Sequence, residues 1–159
     1  RDAIMHVVSH TAAGMNAGQS MDDIAATISL PDHLVDKPWL GEFYGKLSWS
    51  TRAYAVGTLG WYDGNPTHLG GLSSRIRAEK ISALAGGIEG LWDVVDNDSD
   101  PQWKLEICDH LIALDQPAEA QKAELLKLLA ETEINATARN TYLWEAKQLL
   151  SRISEGSDT

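Results

Sequence analysis

The chain has little cysteine, little positive charge and no long apolar run, and each shortage excludes a class of protein. Its single cysteine, Cys108, excludes an internal disulfide and a cysteine-rich metal site. The neighbouring Ile107, Leu111 and Ile112 favour a buried, inert thiol over a reactive one. Acidic residues outnumber basic ones by 23 to 13, and the net charge of −10 repels phosphate, so we expect no nucleic acid partner. No apolar run approaches the roughly 20 residues of a membrane span, so we expect none.

Motifs of self-sufficient catalysis are also missing. The sequence has no Gly-x-Ser-x-Gly elbow, no phosphate-binding Gly-Lys-Ser/Thr loop and no dinucleotide fingerprint. Serine, histidine and aspartate are present, but nothing in their spacing arranges them as a triad. We therefore predict no catalytic residue in this chain.

One histidine pair has the spacing of metal ligands. His6 and His10 lie one helical turn apart, which allows two imidazoles to share one ion. A zinc site needs at least a third protein ligand, and no His-Glu-x-x-His motif is present. A solvated or partly packed histidine pair is the simpler interpretation.

An acidic run has part of the pattern of a calcium loop. Asp96, Asp98 and Asp100 alternate as at the start of such a loop. Pro101 stands where the loop needs glycine, and Ile107 stands where it needs a bidentate glutamate. We predict no metal site in the chain, and an acidic turn that caps the next helix.

Helical periodicity runs through nearly the whole chain, and no segment alternates as a strand does, which predicts an all-α fold. Glycine, proline and capping residues place helices at about 2–17, 43–59, 73–85, 88–96 and 136–153. Three more helices begin at Ser20, Pro101 and Pro117, and Pro31 closes the helix that begins at Ser20. Residues 1–155 then form one helical domain and 156–159 a disordered tail. The helices from residue 88 onward have the rhythm of tetratricopeptide-type hairpins, without the strict repeat signature.

Apolar side chains recur at steps of three or four along two of these helices, which predicts their inner faces. On the helix at 43–59 the predicted face consists of Phe43, Leu47, Thr51, Tyr54 and Thr58. On the last helix it consists of Tyr142, Leu143, Ala146, Leu149, Leu150 and Ile153.

Aromatic residues are concentrated in one short stretch. The chain has eleven aromatic residues (six Trp, four Tyr and one Phe), and seven of them lie within residues 39–62. Clusters of Trp, Tyr and Arg are typical of interface anchors, and they are also typical of a local core; the two can coexist. The candidates for an interface are Trp39, Trp49, Arg52, Trp61 and Tyr62.

Three phrases in the same stretch resemble a known family. Residues 41–45 read Gly-Glu-Phe-Tyr-Gly, residues 48–53 Ser-Trp-Ser-Thr-Arg-Ala, and residues 59–66 Leu-Gly-Trp-Tyr-Asp-Gly-Asn-Pro. They resemble the dimerisation domain of metallo-β-lactamase-fold alkyl sulfatases. The resemblance implies an all-helical, intertwined homodimer attached to its own N-terminal catalytic domain. It also implies that zinc belongs to that domain, so we expect no cofactor in this chain.

The resemblance gives one residue a role. It implies that Tyr44 lies near the substrate cleft, with its hydroxyl donating to a sulfate oxygen; a purely structural Tyr44 is the alternative. Many members continue Tyr-Gly with Thr-Val-Ser-His-Asn, whereas residues 46–50 here read Lys-Leu-Ser-Trp-Ser, which indicates a subgroup.

Three functions of different classes compete for this sequence. The leading hypothesis is a dimerisation domain of an alkyl sulfatase, in which the aromatic turn supplies a self-complementary patch. The second is a free-standing helical-repeat module that grips a peptide in a groove. The third is a self-sufficient hydrolase, which the missing motifs disfavour.

Overall fold

The computed structural model describes residues 1–156, and within that range every regular element is helical, which confirms the predicted all-α fold. The described part of the last helix reaches Gly156, and the rest of the tail predicted at 156–159 lies outside the described residues. Two 3₁₀ turns cover Pro38–Leu40 and Pro66–Gly70. The α-helices are α1 (Asp2–Asn16), α2 (Met21–Thr27), α3 (Asp32–Val35), α4 (Leu47–Leu59), α5 (Ser74–Leu84), α6 (Ile88–Asn97), α7 (Pro101–Ala113), α8 (Glu119–Thr132) and α9 (Ala136–Gly156).

The chain divides into two compact units, Arg1–Gly71 and Leu72–Thr159. In the first unit α4 packs against both α1 and α2. Gly14 permits the close approach of α1 and α2, because a Cβ there would lie 2.7 Å from a side-chain carbon of Ile24, which is 1% exposed. The hydroxyl of Ser20 accepts a hydrogen bond from the amide of Asp23, as the predicted cap requires.

Helix α4 begins four residues later than the sequence predicts. The carboxylate of Glu42 accepts a hydrogen bond from the amide of Leu47 at 2.6 Å, so the first turn is capped from five residues upstream. Phe43 therefore lies in the preceding loop, where it is 49% exposed, and it is not part of the inner face. The helix ends as predicted, at Gly60 with φ of 78°.

The second unit consists of α5 to α9. Helix α7 packs against α5, α6 and α8, and α8 packs against α9. Asp100 caps α7 with Pro101 at its first position, as predicted. Helix α8 begins two residues after Pro117, because its first i→i−4 bond runs from the amide of Lys122 to the carbonyl of Ala118.

Two apolar clusters hold this unit together. The first lies between α6, α7 and the start of α8, and its buried members are Leu91, Val95, Ile107, Cys108, Leu111 and Ala118. The second joins α7, α8 and α9 through Leu105, Ala123, Leu126, Ala146 and Leu149. Across residues 1–156, none of the helices is long and apolar enough to cross a bilayer.

Candidate functional site

The glycine-rich turn after α4 is fixed by short-range hydrogen bonds. The carboxylate of Asp63 accepts a hydrogen bond from the amide of Asn65 at 3.0 Å and lies 2.5 Å from Nδ1 of His68. The side chain of Asn65 in turn accepts from the amide of Thr67. The bond from Asn65, followed by the contact with His68, lowers the pKa of Asp63 from its ordinary value. Residues 63–68 are thus held together as a structured turn.

This turn forms one wall of a cleft within the first unit. The cleft has a volume of about 400 Å³ and is also lined by the end of α1 and the start of α2. Its walls combine apolar side chains, such as Met15 and Leu59, with the polar groups of Ser20 and Asp63. Tyr44 is not among the lining residues.

The aromatic residues at 39–62 do not form a buried local core. Trp39, in the first 3₁₀ turn, and Trp61, just after α4, are each 74% exposed. Tyr62 is half-buried and meets the ring of Trp61 edge-on, with centroids 6.0 Å apart. Tyr44 is 79% exposed in the loop that precedes α4. The first unit thus presents large aromatic side chains to its surroundings.

The two candidates on α4 make contacts within the unit. Nζ of Lys46 lies 5.7 Å from the ring centroid of Trp49, within the range of a cation–π contact. Nη2 of Arg52 lies 3.0 Å from Oδ1 of Asp22, so the guanidinium joins α4 to α2. Arg52 therefore has a structural role that its place in an aromatic cluster does not indicate.

The two metal-like patterns have structural explanations. The rings of His6 and His10 stack on each other with centroids 5.6 Å apart. Side chains of Asp98 and Asp100 accept hydrogen bonds from amides two residues ahead, which makes the acidic run a capping turn. Within residues 1–156, no three His, Cys, Asp or Glu side chains are grouped so as to hold a metal ion.

Cys108 lies in the core of the second unit. It is fully buried, and loss of hydration is the main cause that raises its pKa to about 11. The predicted burial of this thiol is therefore confirmed. A thiol with so high a pKa is scarcely ionised near neutral pH.

Comparison with known proteins places the chain in a family. The sequence profile described as alkyl sulfatase dimerisation matches residues 20–152, which is most of the chain. This chain belongs to the alkyl sulfatase dimerisation family. The family resemblance carried by the aromatic turn is thereby confirmed.

Several relatives of this dimerisation domain are much longer proteins. A linear primary-alkylsulfatase of Pseudomonas sp. is 31% identical over 96% of this chain and 30% of its own length. An (R)-specific secondary-alkylsulfatase of Pseudomonas sp. is 32% identical over 85% of this chain and 21% of its own length. An alkyl/aryl-sulfatase of Saccharomyces cerevisiae is 28% identical over 100% of this chain and 26% of its own length. The chain thus spans less than a third of each.

A solved structure has the same arrangement of helices. The stereoselective inverting sec-alkylsulfatase from Pseudomonas sp. superposes with a TM-score of 0.82 at 28% identity, over 93% of this chain and 24% of that one. A double mutant of a sec-alkyl sulfatase gives the same TM-score at 29% identity. The dimerisation domain therefore matches one part of these larger enzymes.

Sequence reasoning did not find two side-chain pairs that shape the first unit. Asp63 and His68 are five residues apart in the turn, and the Asp-x-Asn spacing of Asp63 and Asn65 is a recognisable turn signal. The pair between Asp22 and Arg52 is separated by 30 residues, and no local pattern predicts it.

Proposed function

We propose that this domain joins two copies of a longer alkyl sulfatase into a homodimer. The match of the alkyl sulfatase dimerisation profile to residues 20–152 carries this proposal. The exposed aromatic side chains of the first unit support it, because rigid aromatic residues dominate the centres of protein interfaces. The comparisons favour this function over a free-standing peptide-binding module.

The catalytic chemistry of the parent protein belongs to another domain. The matched relatives are named as alkylsulfatases, which supports a parent that cleaves alkyl sulfate esters. We propose an N-terminal catalytic domain of the metallo-β-lactamase fold, with zinc as its cofactor. The described residues of this chain do not fit a zinc site, so none of them is assigned as a ligand.

Tyr44 is the one residue that we propose for contact with the substrate. Its side chain is 79% exposed, so it is accessible to a neighbouring domain. Its hydroxyl would donate a hydrogen bond to a sulfate oxygen of the bound ester. Loss of such a donor raises KM or lowers kcat without unfolding the protein. Tyr44→Phe in the parent enzyme tests this role, with Trp39→Phe as an exposed aromatic control.

The second unit is proposed to be built from hairpins of the tetratricopeptide type. Three successive helix pairs, α6 with α7, α7 with α8 and α8 with α9, are in contact, which supports this architecture. The strict repeat signature is missing from the sequence, so the likeness is one of packing.

Co-purification of a tagged and an untagged copy tests the dimer. When the two chains are expressed together at equal levels, the resin that binds the tag should also recover the untagged chain, at about half the amount of the tagged one, because random pairing during folding gives mixed dimers. Recovery of the tagged chain alone would contradict the proposal.

A separate assay tests the division of labour. Sulfate release from dodecyl sulfate should be undetectable for this chain and measurable for the parent protein that contains it. Release of sulfate by this chain alone would place the active site here, against the proposal.

A further inference from the structure

Helix α4 has an outward face without an acidic side chain. Its buried residues are Thr51 and Ala55, and at 100° per residue the opposite side of the helix carries five exposed residues. Trp49 and Val56 on that side are 39% and 46% exposed. The members of this α4 outer face are Trp49, Ser50, Ala53, Val56 and Gly57, and the N-cap Lys46 lies over the ring of Trp49.

A helix that faces water normally carries charged or polar residues there. The last helix, α9, carries Ser151 and Glu155 opposite the buried Ala146, beside one exposed aromatic residue, Trp144. Within its 13 residues, α4 has one polar residue, Ser50, and no charged residue on its outer face. Its composition is that of a surface that another helix covers.

The charge of the chain restricts which of its surfaces can meet a second copy. At a net charge of −10, two copies repel each other unless the surfaces in contact lack acidic side chains. The α4 outer face has none, whereas α6 and α7 carry several. A second copy of this chain is therefore a better occupant than an acidic partner.

We infer that two copies of the domain pack α4 against α4 about a two-fold axis that passes near Ala53. This inference rests on the proposed dimer and assigns its central contact. In an antiparallel pair centred on Ala53, Trp49 lies opposite Gly57 of the second copy, four residues on either side of the axis. A two-fold interface repeats each such contact, so one large side chain and one glycine supply two knob-and-hole pairs.

The glycine leaves room for this contact. A Cβ built on Gly57 meets no atom within 4 Å, so the space above it is open in the single copy. A stable dimer buries about 800 Å² on each partner. Trp49, which is 39% exposed, and Trp61, which is 74% exposed just after α4, contribute part of that area, since a fully buried large aromatic side chain covers roughly 150–250 Å².

A single cysteine tests the position of the axis. In packed helices the two helix axes lie about 8–10 Å apart, and each Cα atom lies about 2.3 Å from its own helix axis. The Cα atoms of two residues that face each other at the two-fold axis are therefore roughly 3.5–5.5 Å apart. That range overlaps the Cα separation of about 4.4–6.8 Å that a disulfide spans. Ala53→Cys treated with oxidised glutathione should give mostly disulfide-linked dimer, because the two introduced thiols meet at the two-fold axis. The native Cys108 is fully buried and does not compete for the crosslink.

The matched control is Thr58→Cys. Thr58 is also exposed on α4, but it lies about 140° around the helix from Ala53. It should remain uncrosslinked under the same conditions. If Thr58→Cys crosslinks efficiently, or if Ala53→Cys does not crosslink although the protein is dimeric, the α4 contact is refuted. Neither result contradicts the dimer itself. A wild-type chain that is monomeric overturns the proposed function and this contact together.

A second pair of variants fills the proposed hole without disturbing the fold. Gly57→Leu adds a side chain where nothing lies within 4 Å and replaces a poor helix former, so each copy should keep its helical content in circular dichroism. The dissociation constant of the dimer should rise at least tenfold, because the leucine occupies the space of Trp49 from the second copy. Thr58→Leu should change it less than twofold. Equal effects of the two variants on dimerisation would overturn the inference.

Discussion

Arg52 of α4 and Asp22 of α2 form an ion pair in which Nη2 and Nε each lie 3.0 Å from the same carboxylate oxygen. The two side chains are 45% and 81% exposed, so water screens the attraction. The pair orients the helices of the first unit more than it stabilises them. It also holds the guanidinium, which the sequence presents as an interface candidate, against its own chain.

A double-mutant cycle on this pair should give a small coupling energy. Arg52→Met and Asp22→Asn, alone and together, should show a coupling of about 0–1 kcal/mol in urea unfolding, because exposed ion pairs rarely contribute more. Coupling should fall further in 1 M salt. A coupling above 2 kcal/mol would mean that the pair is shielded from water in the assembled protein.

The Asp63 carboxylate should make the stability of the turn depend on pH. Its pKa in the folded protein is lowered from the ordinary 3.8, so its charged form contributes stability above that value and loses it as pH falls through the lowered pKa. Asp63→Asn should therefore lower the thermal midpoint at pH 7 and lower it less at pH 2. The same difference from wild type at both pH values would refute this linkage.

The core of the second unit should depend strongly on Leu111. This side chain is fully buried in the cluster of α6 and α7, whereas Leu84 at the end of α5 is 89% exposed. Leu111→Ala should lower the free energy of unfolding by about 2–5 kcal/mol, because it leaves a cavity. Leu84→Ala, the matched control, should change it by less than about 0.5 kcal/mol. Similar losses for both would place the core elsewhere.

Cys108 should resist thiol reagents in the folded protein. Burial excludes the reagent, and a pKa of about 11 keeps the thiol protonated at pH 8. Ellman's reagent should label it only after unfolding in guanidinium chloride, whereas the cysteine of the Thr58→Cys variant, at an exposed position outside the α4 contact, should react in the native state. Rapid labelling of native wild type would show that α7 opens readily.

Local signals predicted the helix ends that depend on neighbouring residues. Ser20 and Asp100 cap their helices through amides two or three residues away, so the sequence pattern contains the whole interaction. The start of α4 depends on Glu42, whose carboxylate reaches an amide five residues ahead. Capping patterns of three residues do not describe that bond, and the predicted helix therefore began too early.

Inner faces were predicted less accurately than helices. On α4, Thr51 is buried as predicted, but Thr58 is exposed, and the buried Ala55 was not included. On α9, Ala146 and Leu149 are buried, while Leu143, Leu150 and Ile153 of the same predicted stripe remain 36–46% exposed. Periodicity indicates the apolar side of a helix, but the neighbouring helix decides how wide a stripe it covers.

The resemblance to the family was carried by short motifs in the sequence, whereas the contact surface proposed on α4 was not predicted from the sequence. Aromatic composition favoured an interface at residues 39–62 but did not separate inward from outward side chains. Only the burial of Thr51 and Ala55 defines the α4 outer face. The position of a partner surface follows from packing, which composition alone does not contain.

Sedimentation equilibrium of the wild-type chain at micromolar concentration tests the central claim most directly. The proposed dimer predicts a molar mass of twice 17.4 kDa, lost on dilution as a two-state association. A mass of 17.4 kDa at every concentration up to about 100 µM would contradict the claim that these helices join two copies.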